Sequence, residues 1–220
     1  MGSTLLHKTS SLLRVVCMVV LLALPSPARA AADGDLAGFV AEVEEAAAEV
    51  HSLSCLFVQE RHLTIFAQPV VFQGALDLVR PDQLRWEFTE PVPSVLVFDG
   101  KSGLRCSDQA EPRHFDLNTD PIMRMVAQQL WTWLDGKYGT LAEQYKLQLV
   151  APATISIVPR DKQVAEFIDH ITIFFDPASK QPRKVEIAEP GGDLTRLLFR
   201  DYQLNPSLQN SLFSKCERSE

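Results

Sequence analysis

Gly74-Ala75-Leu76-Asp77-Leu78-Val79-Arg80-Pro81-Asp82-Gln83-Leu84-Arg85-Trp86 is the stretch whose reading decides the fold. It reads as two antiparallel strands joined at Arg80-Pro81-Asp82-Gln83, with Pro81 suited to the first central turn position. Strand side chains alternate between faces, so Phe72, Gly74, Leu76, Leu78 and Arg80 share one side. Beyond the turn Leu84, Trp86 and Phe88 share a side, and Arg85, Glu87 and Thr89 take the other. An apolar row therefore ends in a guanidinium. Burying that group unpaired is costly, so Arg80 must reach carbonyls, a carboxylate or solvent. By alternation alone, solvent is the ordinary destination of a strand-end arginine.

Outward from this hairpin the chain is mostly strand. Residues 53–67 form an apolar, β-branched strand, bent near Phe66-Ala67, that offers a free edge if nothing covers it. Ser94–Phe98 and Gly103–Ser107 pair across Asp99-Gly100, with a short extended segment at 112–117. Further strands are expected at 145–151, 153–158, 167–175, 183–189 and 194–202. The last two are joined by Pro190-Gly191-Gly192-Asp193, and Ser211–Phe213 is read as a final edge strand. Two helices punctuate the strands. Residues 36–50, capped by Asp33 or Asp35, place Leu36, Phe39, Val40, Val43, Ala47 and Val50 on one stripe. Asp120-Pro121 opens the second, where Ile122, Met123, Val126, Leu130, Trp133 and Leu134 make the stripe and Gly136 the end. The expected class is α+β: one antiparallel sheet with two or three helices.

The chain has 220 residues and a formal net charge of −7, enough for one sizeable core. Lys8 and Arg14 precede an apolar run at 15–24, Pro25-Ser26-Pro27 breaks it, and Ala28-Arg29-Ala30 is an Ala-x-Ala cleavage site. That is the pattern of a cleaved secretory signal over residues 1–30, followed by a single domain at 31–220. Its loss leaves 18 of the 21 basic residues against 28 acidic ones, a net charge near −10. So acidic a chain is no nucleic-acid binder and no simple adsorber to anionic lipid. Cys55, Cys106 and Cys216 remain after cleavage, which allows one disulfide plus a thiol in an oxidising compartment without specifying the pair.

The sequence contains little that suggests catalysis. It has no nucleophile elbow and no phosphate-binding glycine loop. His51, His62, His114 and His170 fall in four different elements, none at metal-ligand spacing. No cofactor or metal is expected. The remaining signals are apolar: a long sheet, and a helix bearing Met and Trp, of which Met adapts readily to varied apolar partners.

At this point the sequence resembles the periplasmic lipoprotein carriers (LolA-type). Their recurring hairpin stands here as Gly74, Leu76, Arg80, Pro81, Leu84 and Trp86. Phe57-Val58-Gln59 and the run from Pro91 through Ser94-Val95-Leu96 to Asp99-Gly100-Lys101 agree as well. The resemblance implies an incomplete β-barrel with a helical lid over an apolar cavity. It further implies a periplasmic, non-enzymatic carrier that takes lipoproteins from an inner-membrane ABC transporter to an outer-membrane receptor, as a monomer. Carried over, Arg80 is a lid latch bonding carbonyls of the lid. Phe72, Leu76, Leu78, Leu84, Trp86, Phe88, Ile122, Met123, Val126, Leu130 and Trp133 form the acyl-chain cavity. Leu84 departs from the family's aromatic residue at that place. Free lipid, glycolipid or a lipid-linked metabolite is the alternative cargo, and an exported acyl hydrolase or a solid structural sheet are the alternatives of other classes.

Overall fold

The computed structural model describes residues 28–134 and 136–217. Residues 1–27, and so most of the expected signal segment, lie outside them. In chain order the elements are α1 (Ala28–Ala48), β1 (Ser52–His62), β2 (Val70–Val79), β3 (Gln83–Glu90), β4 (Ser94–Asp99), β5 (Ser102–Ser107) and β6 (Ala110–Asp116). Then come α2 (Pro121–Leu134), α3 (Tyr138–Leu141), β7 (Tyr145–Ala151), β8 (Thr154–Pro159), α4 (Lys162–Ala165), β9 (His170–Phe175), β10 (Pro182–Ala188) and β11 (Leu194–Leu204). Among the described residues the eleven strands make one antiparallel sheet in the order β6-β5-β4-β3-β2-β1-β11-β10-β9-β8-β7. β6 and β7 are left as edges, so the curled sheet is an incomplete barrel.

Two meanders build this sheet, and β1 against β11 sews them together. The seam pairs Phe57 with Phe199 and Gln59 with Leu197 on the inner face. On the outer face Arg196 spans it, donating to Glu186 of β10 at 2.9 Å and to Glu60 of β1 at 3.0 Å. His62 lies 3.0 Å from the same Glu60 carboxylate. The bonds from His62 and Arg196 hold Glu60 below its ordinary 4.5 despite partial burial. Burial pushes Glu186 up, but the bonds from Arg196 and Lys184 outweigh it and the net shift is downward.

Several elements differ from the sequence reading. β1 ends at His62 and is paired on both sides, by β2 and β11, so it offers no free edge. Arg80 belongs to the turn, since the strands stop at the Val79–Gln83 pair; Arg80–Pro81 and Glu90–Pro91 are cis. Helix α1 already starts at Ala28, which puts Asp33 and Asp35 inside it rather than at its cap. Ser211–Phe213 is no strand but part of a 3-10 helix over Asn210–Phe213.

The reason for that last departure is a buried arginine. Arg85 points to the outer face of β3 and is fully buried there. Its Nε donates to Glu87 Oε2 at 2.9 Å, Nη1 to the carbonyls of Leu212 (3.2 Å) and Lys215 (2.7 Å), and Nη2 to that of Cys216 (2.7 Å). Carbonyls committed to a guanidinium are not free to extend a sheet. Leu212 and Phe213 instead cap an outer core of Val95, Val97 and Leu104, and the Cys106–Cys216 disulfide fastens the end of the strap. Cys55 is left as a buried thiol, which burial and then Asp77 push up to about 12, making it unreactive.

Two measurements check this account of the frame. Replacing Arg85→Leu strands three carbonyls and a carboxylate, and should cost about 3–5 kcal/mol in urea unfolding. The carboxylates at the seam contribute stability above their unfolded pKa of 4.5, and it is lost as pH falls through their lowered folded values. The Arg196→Gln variant should therefore be less stable at pH 7 and lose less on acidification to pH 3, as followed by circular dichroism.

Candidate functional site

Curling the sheet turns one apolar face inward, and the helices cover it in two parts. Val40 and Val43 of α1 pack with Tyr138 and Leu141 of α3 on Ile155, Ile157, Ile171 and Phe175 of the second meander. Ala127 of α2, with Met123, Val126 and Leu130 beside it, packs on Cys55, Phe57, Leu76, Leu78 and Leu84 of the first meander. Asp120 starts α2 by accepting from the Met123 N–H at 3.0 Å, a normal helix cap. The two cores come together at Val185 of β10, which packs against both. Between them lies a cavity of about 440 Å³.

Its wall is predominantly apolar. Leu76, Leu78 and Trp86 come from the first meander, and Ile171, Ile173, Val185, Ile187, Leu197 and Phe199 from the second. Val43, Ala47 and Val50 line it from α1 and the turn after it, and Leu130 and Leu134 from α2. Burial raises the phenols of Tyr138 and Tyr202 in this wall, so both stay neutral at physiological pH. A sealed void of this volume in an apolar core would forfeit on the order of 10 kcal/mol, as much as a typical domain's whole stability. A solid structural core is the wrong description.

Arg80 stands at one end of the cavity, and its Nη2 donates to the carbonyl of Leu134 at 3.2 Å. Leu134 is the last residue of α2, where carbonyls lack intrahelical partners and the helix dipole favours a cation. Helix α1 is tied separately. Glu44 Oε1 accepts from the Gly139 N–H at 2.7 Å, and Lys180 pairs with Glu42. Asn205 holds the turn after α1, donating to the Glu49 carbonyl at 2.9 Å and accepting from the His51 N–H at 2.7 Å.

Of the residues singled out from the sequence, Leu76, Leu78, Arg80, Trp86 and Leu130 line the cavity. Leu84 is fully buried in the same core, beneath α2, and does not line the cavity. Phe72 packs edge-on against Phe88, and Phe88 against Phe57, in an aromatic cluster on the same face. Met123 and Val126 bind α2 to the core. The side chains of Ile122 and Trp133 lie outside the described residues. Sequence reasoning missed the second meander's half of the wall. The signal was present in the alternating Ile171, Ile173 and Phe175 and in Leu197 and Phe199, but nothing in it distinguishes a cavity wall from ordinary core.

Glycines 74 and 136 are needed where they stand. A Cβ at Gly74 would lie 2.1 Å from the Glu87 carbonyl oxygen and 2.5 Å from the Phe57 ring. At Gly136 (φ +73°) it would strike the Ala47 side chain at 2.4 Å, where the end of α2 meets α1. Among the described residues there is no cluster of three or more metal-ligating side chains, and no helix long and apolar enough to cross a membrane. The arrangement is suited to sheltering apolar chains from water.

A lidded half-barrel with an apolar interior is thus the class that fold and site define. The chain belongs to the family described as outer membrane lipoprotein carrier protein LolA, whose model matches residues 48–216. It is 28% identical over 166 residues to an outer-membrane lipoprotein carrier protein of Alkalilimnicola ehrlichii, covering 72% of each chain. Among solved structures, an uncharacterized conserved protein of Thermus thermophilus shares the fold at a TM-score of 0.52 and 10% identity, over 82% of this chain and 93% of that one. A LolA superfamily protein from Nitrosomonas europaea gives a TM-score of 0.40 at 12% identity, over 80% and 97%.

Gly74→Ala should destabilise the protein by about 1–3 kcal/mol, because backbone as well as side chain must give way. Arg80→Leu should speed amide hydrogen exchange in α2 while leaving the seam strands β1 and β11 protected. Equal acceleration in both would mean that Arg80 supports the whole fold and not the helix.

Proposed function

We propose that this protein is a periplasmic carrier that shields the acyl chains of lipoproteins and moves them from the inner to the outer membrane. The observation that carries this reading is the apolar cavity lying between two helix-covered cores. Each methylene kept from water is worth about 0.8 kcal/mol, so an acyl chain needs such a shelter to cross an aqueous space. Family membership supports lipoprotein as the cargo. On this reading residues 1–30 are removed on export, residues 31–220 work as a monomer, and an inner-membrane transporter and an outer-membrane receptor are the docking partners.

Delivery requires that the carrier hold its cargo no more tightly than the next site does. Arg80 serves as the latch in this scheme. Its bond to the Leu134 carbonyl closes the empty form, and opening α2 to admit a chain gives up roughly 1 kcal/mol per such bond. That cost lowers affinity in a controlled way.

Cargo recovered with the protein from the exported fraction, identified by mass spectrometry, tests the reading. Peptides carrying an acylated N-terminal cysteine are expected, and Arg80→Leu should retain them more strongly through transfer to outer membranes. Free lipid with no such peptide would contradict the assignment of lipoprotein cargo.

A further inference from the structure

Trp86 lines the cavity from β3, directly across from Leu76 of β2. Its indole Nε1 is buried and, among the described residues, has no hydrogen-bond partner. A buried tryptophan N–H normally finds an acceptor, and each exception needs a reason. Its ring neighbours supply none. Phe57 lies 5.1 Å away and Phe88 6.5 Å, centroid to centroid, and aromatic faces accept only weakly.

Other groups of the wall do not fill the role either. Tyr202, also in the wall, donates to the Pro182 carbonyl at 2.6 Å and does not accept from the indole. Gln59 lies four residues along β1 from Cys55, the residue that pairs with Leu76, or about 13 Å along the sheet from Trp86. A lone water would be poorly held, because it needs two to four polar partners and the neighbours paired or stacked with Trp86 are Leu76, Phe57 and Phe88. A phenylalanine here would give the same apolar ring without desolvating a donor.

We propose that the Trp86 N–H is the cavity's anchor for a carbonyl oxygen of the cargo, the ester or amide carbonyl at the head of a fatty acyl chain. The inference rests on the acyl-carrier reading above. An acyl chain carries its strong acceptor at one end only, so a single donor in an otherwise apolar stretch of wall sets how deep the chain seats. The indole donates, the carbonyl accepts, and no proton changes hands. A donor idle in the empty form and used in the loaded one favours acyl compounds over plain hydrocarbon of the same length. It also adds this selectivity without charge, and so without strong retention.

The test compares the full protein with its Trp86→Phe variant, by displacement of an apolar fluorescent probe. The competitors are methyl laurate, tetradecane and a synthetic dipalmitoyl S-glyceryl-cysteine peptide. The variant should bind methyl laurate and the lipopeptide about three- to tenfold more weakly, the factor of one net hydrogen bond, and bind tetradecane unchanged. In the unmutated protein the indole N–H resonance of Trp86, assigned by its absence from the variant, should move downfield with methyl laurate and stay with tetradecane. Equal loss for ester and alkane, or an indole signal indifferent to the ester, overturns the anchor while leaving the carrier reading intact. Binding of none of the three overturns both. A response to methyl laurate without one to the lipopeptide supports the anchor and assigns it to free lipid.

Discussion

The pairing of β1 with β11 is the constraint on which everything else depends. It pairs the first strand of the sheet with the last, and makes one curled sheet of the two meanders. Because β6 and β7 are left as edges, the inner face cannot be closed by strands and must be covered by helices. Helices α1 and α3 cover the second meander and α2 the first, and the cavity lies over the seam. The site is therefore a consequence of the topology. Its floor is the seam itself, with Leu197 and Phe199 on one strand and Leu53 and Gln59 on the other.

Both faces of the opening hairpin are used, and for opposite purposes. Inward, Leu76, Leu78 and Trp86 line the cavity. Outward, Asp77 and Arg85 sit opposite each other in the register, fully buried beneath the C-terminal strap. A buried guanidinium with four short partners is an expensive but highly specific fastening. The described bonds that tie α1 are more exposed than those of the strap. The bond of Arg80 to the Leu134 carbonyl of α2, and those of Lys180 to Glu42 and of Gly139 to Glu44 of α1, are ones a lid can break without disturbing the strap.

Much of this was legible in the sequence. Alternation and turn residues located the hairpins, Asp120-Pro121 the second helix, and the spaced hairpin motif the family. What stayed hidden was of two kinds. Arg85 falls on the face that alternation assigns to solvent, and no local signal tells that residues 205–217 return to bury it. The same blindness made a strand of Ser211–Phe213 and left the cysteine pairing open. The cavity wall was half seen, because a wall and a core are both rows of alternating apolar side chains. Leu84 illustrates the difference: it has the same row and character as Trp86, yet is packed solid beneath α2 and does not line the cavity.

The central claim is that the space over the seam is a binding site for an acyl chain and not a packing accident. Calorimetric titration with a palmitoylated peptide, on the protein and on a Leu197→Trp variant that fills the cavity, tests it directly. The account predicts saturable one-to-one binding with a negative heat-capacity change, lost in a variant that still folds. Equal binding by the filled variant, or no binding by either, would contradict it.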